Sequence, residues 1–341
     1  MLFGHQLAAC LLFGAAALAL DRRREAAPGR SGAVLALSAL SVLVEYPTAP
    51  AALLIVATEL SVRRPTLGRS LTAVAGAVPI ALLAAYLTAA FGGPLRVGYA
   101  ALADPAARDE MLSRGVFGLT FPRPQVLLEL LLGPDRGLLV YSPVLLLALP
   151  GYGALLDDGP GDRALRRRAL VLLAGVPAYF LLFVSSYEWW QGGAAFGSRH
   201  LVPMLPFVAV PVALAASRRP GLGATLAAVS AATMLVVTSV QPKPAERFSR
   251  PFTEYVLPTF LRGDLSDSKA CPDIGSSQFK GHVGLLRGRA QDAMNLGMLV
   301  GARGLRSLSP LLALWLAAAW SLGRATRPLT AREAEPRADA S

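Results

Sequence analysis

The chain has 341 residues, of which 54% are hydrophobic and 16% charged, with a mean hydropathy of +0.48. Soluble domains carry about 25% charged residues and disordered chains need low hydrophobicity, so both classes are excluded. The net charge of +11 raises nucleic acid as a partner, but the basic residues flank long apolar runs, which assigns them to a membrane surface and leaves no nucleic-acid role.

About 20 apolar residues cross a hydrocarbon core of about 30 Å as a helix. The first such run, 3–20, is followed by Asp21-Arg22-Arg23-Arg24. It lacks a basic start and carries His5 and Gln6, so it is not a signal peptide and reads as a helix running from outside to inside. The stretch 32–60 is interrupted by Glu45-Tyr46-Pro47 and Pro50, with Arg22, Arg23, Arg24 and Arg30 before it and Arg63 and Arg64 after it. Basic flanks at both ends predict a hairpin of two short helices with Glu45 near its tip; a single tilted helix is the rival reading. Further runs occupy 72–91, 138–156, 169–185, 201–217, 222–241 and 308–322. The expected fold is an all-α, polytopic integral membrane protein with about nine membrane segments. A membrane domain spans 1–322, and a cytoplasmic, disordered tail is expected over 323–341.

The loops 21–31, 61–71, 157–168, 218–221 and 323–341 hold 17 of the 33 Lys and Arg. The loops 92–137, 186–200 and 242–307 hold the other 16 over more than twice the length. The positive-inside rule makes the first set cytoplasmic and the second extracytoplasmic. The protein is therefore expected in a bacterial cytoplasmic membrane with its C-terminus in the cytoplasm. Arginine outnumbers lysine 30 to 3 in an alanine- and leucine-rich chain. That matches a GC-rich genome, and arginine content alone says little about phosphate binding.

Three stretches carry candidate chemistry. Tyr187-Glu188-Trp189-Trp190-Gln191-Gly192-Gly193 continues to Phe196-Gly197-Ser198-Arg199-His200 between two membrane helices. Its tryptophans suit an interfacial belt, while its glycines permit sharp turns and close approach to a ligand. Arg199, entering the next helix, either snorkels to water or meets an anion such as a lipid phosphate. His200 is either a packing residue or part of that site. In the second stretch, Val44-Glu45-Tyr46-Pro47, a carboxylate within lipid is costly, which makes Glu45 and its neighbour Tyr46 functional candidates. Glu59 stands at helical spacing from Arg63 and predicts an ordinary pair. In the third, Gly133-Pro134-Asp135-Arg136-Gly137 turns into a helix with Tyr141, Ser142 and Pro143. The Tyr141 hydroxyl stands either at a cavity mouth or against carbonyls freed by proline. Asp135 reads as a turn former.

In the segment 242–307, Phe252, Tyr255, Leu257, Phe260 and Leu261 predict a short amphipathic helix. Asp264, Asp267 and Asp273 do not have EF-hand spacing. Asn295-Leu296-Gly297, with Gly301, Gly304 and Pro310, predicts an irregular lead-in to the last helix. Cys10 lies in a helix and Cys271 outside, so no disulfide is expected between them. There is no P-loop, zinc triad, G-x-S-x-G or nucleotide glycine fingerprint. No cofactor is identifiable and a divalent metal has no support. A transferase built on this chain would use a lipid-borne donor.

Several motifs together resemble a family: Phe3-Gly4-His5-Gln6-Leu7-Ala8-Ala9, Glu45-Tyr46-Pro47, Arg136-Gly137-Leu138-Leu139-Val140-Tyr141-Ser142-Pro143, Trp189-Trp190-Gln191-Gly192-Gly193, Phe196-Gly197-Ser198-Arg199 and Leu205-Pro206-Phe207. They are similar to bacterial polytopic glycosyltransferases of the GT-C type, the dolichyl-phosphate-mannose protein mannosyltransferase-like, phospholipid carrier-dependent transferases. The resemblance implies transfer of a sugar from a polyprenyl-phosphate carrier to an extracytoplasmic acceptor. Arg199 and His200 are then expected at the carrier phosphate, and Glu188, Trp189 and Trp190 along the lipid or sugar groove. Glu45, Tyr46 and Tyr141 are expected around the external cavity. The family's acid-bearing first external loop has no counterpart before Phe3, so the catalytic acid is unassigned; the expectation is a fragment, a misassigned start, or a half that needs a partner supplying that N-terminal region. A transporter or flippase and a non-catalytic membrane subunit are the rival functions.

Overall fold

The computed structural model describes residues 4–21, 29–61, 66–96, 98–101, 105, 108–109, 115, 118–156, 162–192, 196–240, 248–263, 265 and 295–332. Among them the fold is all-helical, and the one extended pairing is an isolated antiparallel bridge between Leu119 and Tyr187. In chain order the helices are α1 Gly4–Leu20, α2 Arg30–Val44, α3 Ala49–Leu60, α4 Leu67–Gly76, α5 Val78–Phe91, α6 Pro124–Leu132, α7 Leu138–Tyr141, α8 Ala148–Leu156, α9 Arg163–Ser186, α10 Leu205–Arg218, α11 Pro220–Val240, α12 Leu257–Arg262, α13 Leu296–Leu299 and α14 Ser309–Arg332.

Four described stretches are long and apolar enough to cross a membrane: Ser70–Phe91, Arg163–Ser186, Arg199–Arg218 and Pro220–Val240. Gly4–Leu20, Arg30–Val44 and Pro143–Leu156 are shorter apolar helices. The membrane class expected from composition is therefore supported, with four full-length spans where the sequence predicts about nine segments. Only 17% of the Ser70–Phe91 and Pro220–Val240 windows is buried within the protein. Helices this apolar and this uncovered suit lipid rather than water.

Packing divides the chain into two units, Met1–Met234 and Leu235–Ser341. In the first, α9 is the central helix. Its Leu172, Val176, Phe180 and Val184 are buried with Leu12 of α1, Ile55 of α3, Leu130 of α6 and Phe207 of α10. Pro177 lies inside α9 and cannot donate to the carbonyl of Leu173. The Tyr152 hydroxyl from α8 donates to that carbonyl instead, at 2.7 Å. A backbone acceptor left open in an apolar environment is thereby satisfied. Small residues bring α2 and α4 backbone to backbone: a Cβ on Gly32 would meet the Thr72 carbonyl oxygen at 2.6 Å.

α2 and α3 form the expected hairpin. Glu45 is extended (φ −146°) and leads into the 3-10 turn Tyr46–Thr48. The turn is tied by Thr48 Oγ1 donating to the Glu45 carbonyl (2.8 Å) and by a Ser41–Thr48 hydroxyl contact (3.2 Å). At the far end, Arg30 at the start of α2 meets Glu59 near the end of α3 at 3.2 Å, so the two helices run antiparallel. Ser31 donates to the same carboxylate, and Arg30 also donates to the carbonyls of Ala19 and Asp21 at the end of α1. Glu59 is only 1% exposed and pairs with the buried Arg30; Arg63, with which an ordinary pair was expected, lies outside the described residues. A buried carboxylate needs a buried partner, and helical spacing alone does not reveal one.

In the second unit a π-helical turn, Phe252–Val256, continues into α12 and buries Tyr255, Val256 and Thr259, giving the amphipathic element its inner face. Asn295 caps α13 by accepting from the Met298 amide (2.9 Å) and donates to Ser307 Oγ (3.1 Å). α13 and the 3-10 turn Gly304–Leu308 form the irregular approach to α14. That helix runs to Arg332, beyond the boundary at 322 where a tail was expected. Asp264, Asp267, Cys271 and Asp273 lie outside the described residues.

Candidate functional site

α1 is 17 residues, or about 25 Å long, and separates two polar clusters. One is the Arg30–Glu59 pair at its C-terminal end. The other begins with His5, one residue into α1, and with Glu45, whose amide closes α2 on the Ser41 carbonyl at 2.9 Å. His5 Nδ1 stands 3.2 Å from Glu45 Oε1. The His5 ring lies edge-on to His200, centroids 5.3 Å apart, and His200 lies edge-on to Tyr187 at 5.7 Å. Tyr187 stacks on Phe183 of α9. Burial raises the Glu45 carboxyl above the usual carboxylate range, while the nearby Arg199 charge pulls it back down.

His5, Glu45, Phe183 and His200 line a narrow crevice of about 10 Å³ with Pro47, Thr48, Phe180 and Pro203. That is room for about one water molecule, so a sugar ring does not fit within it. Two glycines make the close packing feasible. A Cβ on Gly4 would stand 2.6 Å from Glu45 Oε1, and one on Gly192 would stand 3.1 Å from Arg199 Cγ and 3.2 Å from His200 Cδ2. Gly192 also has φ +68°, a left-handed conformation that favours glycine. The Tyr179 hydroxyl, donating to the Pro47 carbonyl, anchors the hairpin tip to α9.

The turn after α9 is fastened from two sides. Arg123 donates to the Tyr187 carbonyl at 2.6 Å and pairs with Glu188 at 3.3 Å. The backbone joins the same segments, with Thr120 N–H donating to Ser186 O (2.9 Å) and Glu188 N–H to Gly118 O (2.8 Å). Arg136, itself buried and paired with Asp135 at 3.0 Å, donates to the Gln191 carbonyl. Ser198 Oγ donates to the Trp190 carbonyl at 3.0 Å. Trp189 is 38% exposed, whereas Trp190 packs against the core. Gly193 lies outside the described residues.

Of the expected site residues, Glu45, Arg199 and His200 come together. Glu188, Trp189 and Trp190 form the adjoining turn, and Tyr46 is exposed beside the hairpin tip rather than in the crevice. Tyr141 differs from the cavity-mouth reading. It is buried, and its hydroxyl donates to the Pro134 carbonyl at 2.6 Å, closing the 133–137 turn. His5, Arg123 and Arg136 complete the arrangement. His5 was detectable as the imidazole inside an apolar helix, but its partner was not. Among the described residues no group of three or more His, Cys, Asp or Glu is assembled that could hold a metal ion. No known protein family, curated protein or solved structure matches the chain.

Proposed function

We propose that this chain is a membrane glycosyltransferase of the GT-C kind, acting on a polyprenyl-phosphate-linked sugar at the extracytoplasmic side of a bacterial cytoplasmic membrane. The observation that carries this reading is the convergence of His5, Glu45 and His200, with the Arg199 charge close enough to act on Glu45, drawn from three separated sequence motifs, at one end of an apolar bundle. Ionisable groups in such surroundings are costly and are kept for function.

Arg199, exposed at the rim, binds the carrier phosphate. The exposed Trp189 lies along the lipid or sugar, and the acceptor hydroxyl approaches Glu45 from the mouth of the crevice. In the transfer step the bond from the anomeric carbon to the phosphate oxygen breaks, and its electron pair leaves with the carrier phosphate. A bond forms between the acceptor oxygen and the anomeric carbon while the hydroxyl proton passes to Glu45. His5 orients the carboxylate, and Arg199 stabilises the departing phosphate charge. The test is sugar transfer from labelled polyprenyl-phosphate donors in native membranes. Glu45→Gln is expected to lower transfer by about 100-fold or more. Equal transfer by wild type and Glu45→Gln would remove Glu45 from the mechanism.

A second reading draws on the same His5–Glu45 contact: a proton-coupled transporter would also need titratable groups within an apolar bundle. It predicts proton-driven solute uptake in proteoliposomes that Glu45→Gln abolishes, with no dependence on the lipid carrier.

A further inference from the structure

α6 is nine residues, about 14 Å long, and too short to cross a hydrocarbon core of about 30 Å. Its Val126 and Leu130, four positions apart, are buried in the core around α9. On the opposite face Leu128 and Leu132 repeat the same spacing but are 59% and 58% exposed. Phe121, three residues before the helix, is 89% exposed. Gln125 and Glu129, both exposed, border the two leucines on one side. The helix therefore has an inner apolar stripe that the protein covers and an outer one that it does not.

The hydrogen bonds at its two ends set its level. Before α6, the Arg123 N–H donates to the Ser185 carbonyl at 3.1 Å and the Thr120 hydroxyl to the Ser186 carbonyl at 3.0 Å. After it, Arg136 donates to the Gln191 carbonyl. Both ends are thus tied to the last residues of α9 and the turn that follows it. α9 has 24 residues, about 36 Å, and is apolar enough to cross a membrane. Its final carbonyls, and whatever bonds to them, then stand at the boundary between hydrocarbon and water. A short helix held at that boundary, with a bare apolar stripe flanked by polar residues, matches the boundary between acyl chains and headgroups. We propose that α6 is an interfacial helix lying in the membrane plane, with Phe121, Leu128 and Leu132 inserted among the acyl chains of one phospholipid leaflet. The proposal rests on α9 crossing the bilayer and does not depend on sugar transfer.

Spin-label depth measurements test it on the full chain in phosphatidylcholine liposomes. In a Cys10→Ala/Cys271→Ala background, Phe121→Cys, Pro124→Cys, Leu128→Cys and Leu132→Cys are labelled one at a time. Leu82→Cys, exposed midway along Ser70–Phe91, serves as the deep reference. Collision of each label with lipid-soluble oxygen and with a water-soluble nickel chelate is measured by power saturation. Labels at Phe121, Leu128 and Leu132 are expected to meet oxygen more than nickel, and to lie shallower than the label at Leu82. Pro124, Leu128 and Leu132 should share one depth, because a helix standing upright would spread them over about 12 Å. That spread would overturn the in-plane placement. Labels at Leu128 and Leu132 that meet nickel more than oxygen would show a face in water and overturn the proposal. Labels shielded from both reagents would show a face covered by another protein or a second copy, and would overturn it equally. None of these readings involves a sugar donor, so they stand or fall apart from the transfer assay.

Discussion

The His5 imidazole stands 3.2 Å from the Glu45 carboxylate, across 40 positions of sequence and between the outermost turn of α1 and the tip of the α2–α3 hairpin. The contact joins two packed elements, and in the proposed reaction it orients the carboxylate that takes the acceptor's proton. His5→Ala should therefore lower sugar transfer more than it lowers stability. The rate is expected to fall about tenfold or more while the melting temperature of the purified protein changes little. A parallel collapse of both would make the contact structural only.

The opposite end of α1 behaves differently. Arg30 and Glu59 are 5% and 1% exposed, so truncating one leaves a buried, uncompensated charge. Glu59→Ala is expected to cost about 3–5 kcal/mol, read as a large drop in melting temperature in detergent. The paired apolar exchange Arg30→Met/Glu59→Leu should recover most of the loss, because it removes both charges at once.

Tyr152 serves the carbonyl that Pro177 leaves open. Tyr152→Phe should cost about 0.5–1.5 kcal/mol in the wild-type background. In a Pro177→Ala background the helix amide returns to Leu173 and the same substitution should cost close to nothing. A double-mutant cycle of denaturation midpoints measures this coupling, and additive effects would refute it.

Gly192 combines a left-handed conformation with close packing. A Cβ there strains a positive-φ residue, by about 1–2 kcal/mol, and presses on Arg199 and His200. Gly192→Ala should raise the KM for the lipid donor several-fold. Gly221→Ala, at a position where a Cβ meets nothing within 4 Å, should leave it unchanged.

The proposed orientation is testable by labelling in a background with Cys10 and Cys271 replaced by alanine. Exposed Gln191→Cys should react with a membrane-impermeant maleimide on intact spheroplasts, and exposed Arg219→Cys only after permeabilisation. The reverse pattern would put the Arg199 rim on the cytoplasmic side and end the account of lipid-carrier chemistry.

Local signals made part of this architecture legible. Glu45-Tyr46-Pro47 interrupts an apolar run flanked by arginines, so a hairpin with Glu45 at its tip follows from the sequence. The glycines and tryptophans after α9 likewise mark an irregular turn. Partner choice was not legible. Glu59 pairs with Arg30, 29 positions away, because tertiary packing decides where a buried charge is compensated. The Tyr141 hydroxyl donates to the Pro134 carbonyl, and Arg136 reaches Gln191 across 55 positions. Such contacts depend on which helices become neighbours, and a single chain carries no local mark of that. α6, Pro124–Leu132, lies within a segment read as a loop; nine residues are too few for a membrane-length apolar signal.

The most direct test of the central claim is donor binding. The purified chain in nanodiscs is titrated with polyprenyl phosphate and with the uncharged polyprenol of the same length, for wild type and Arg199→Ala. Wild type is expected to prefer the phosphate and Arg199→Ala to lose this preference, with phosphate affinity falling about tenfold or more. Equal affinity for the two lipids, or an undiminished preference in Arg199→Ala, would contradict it.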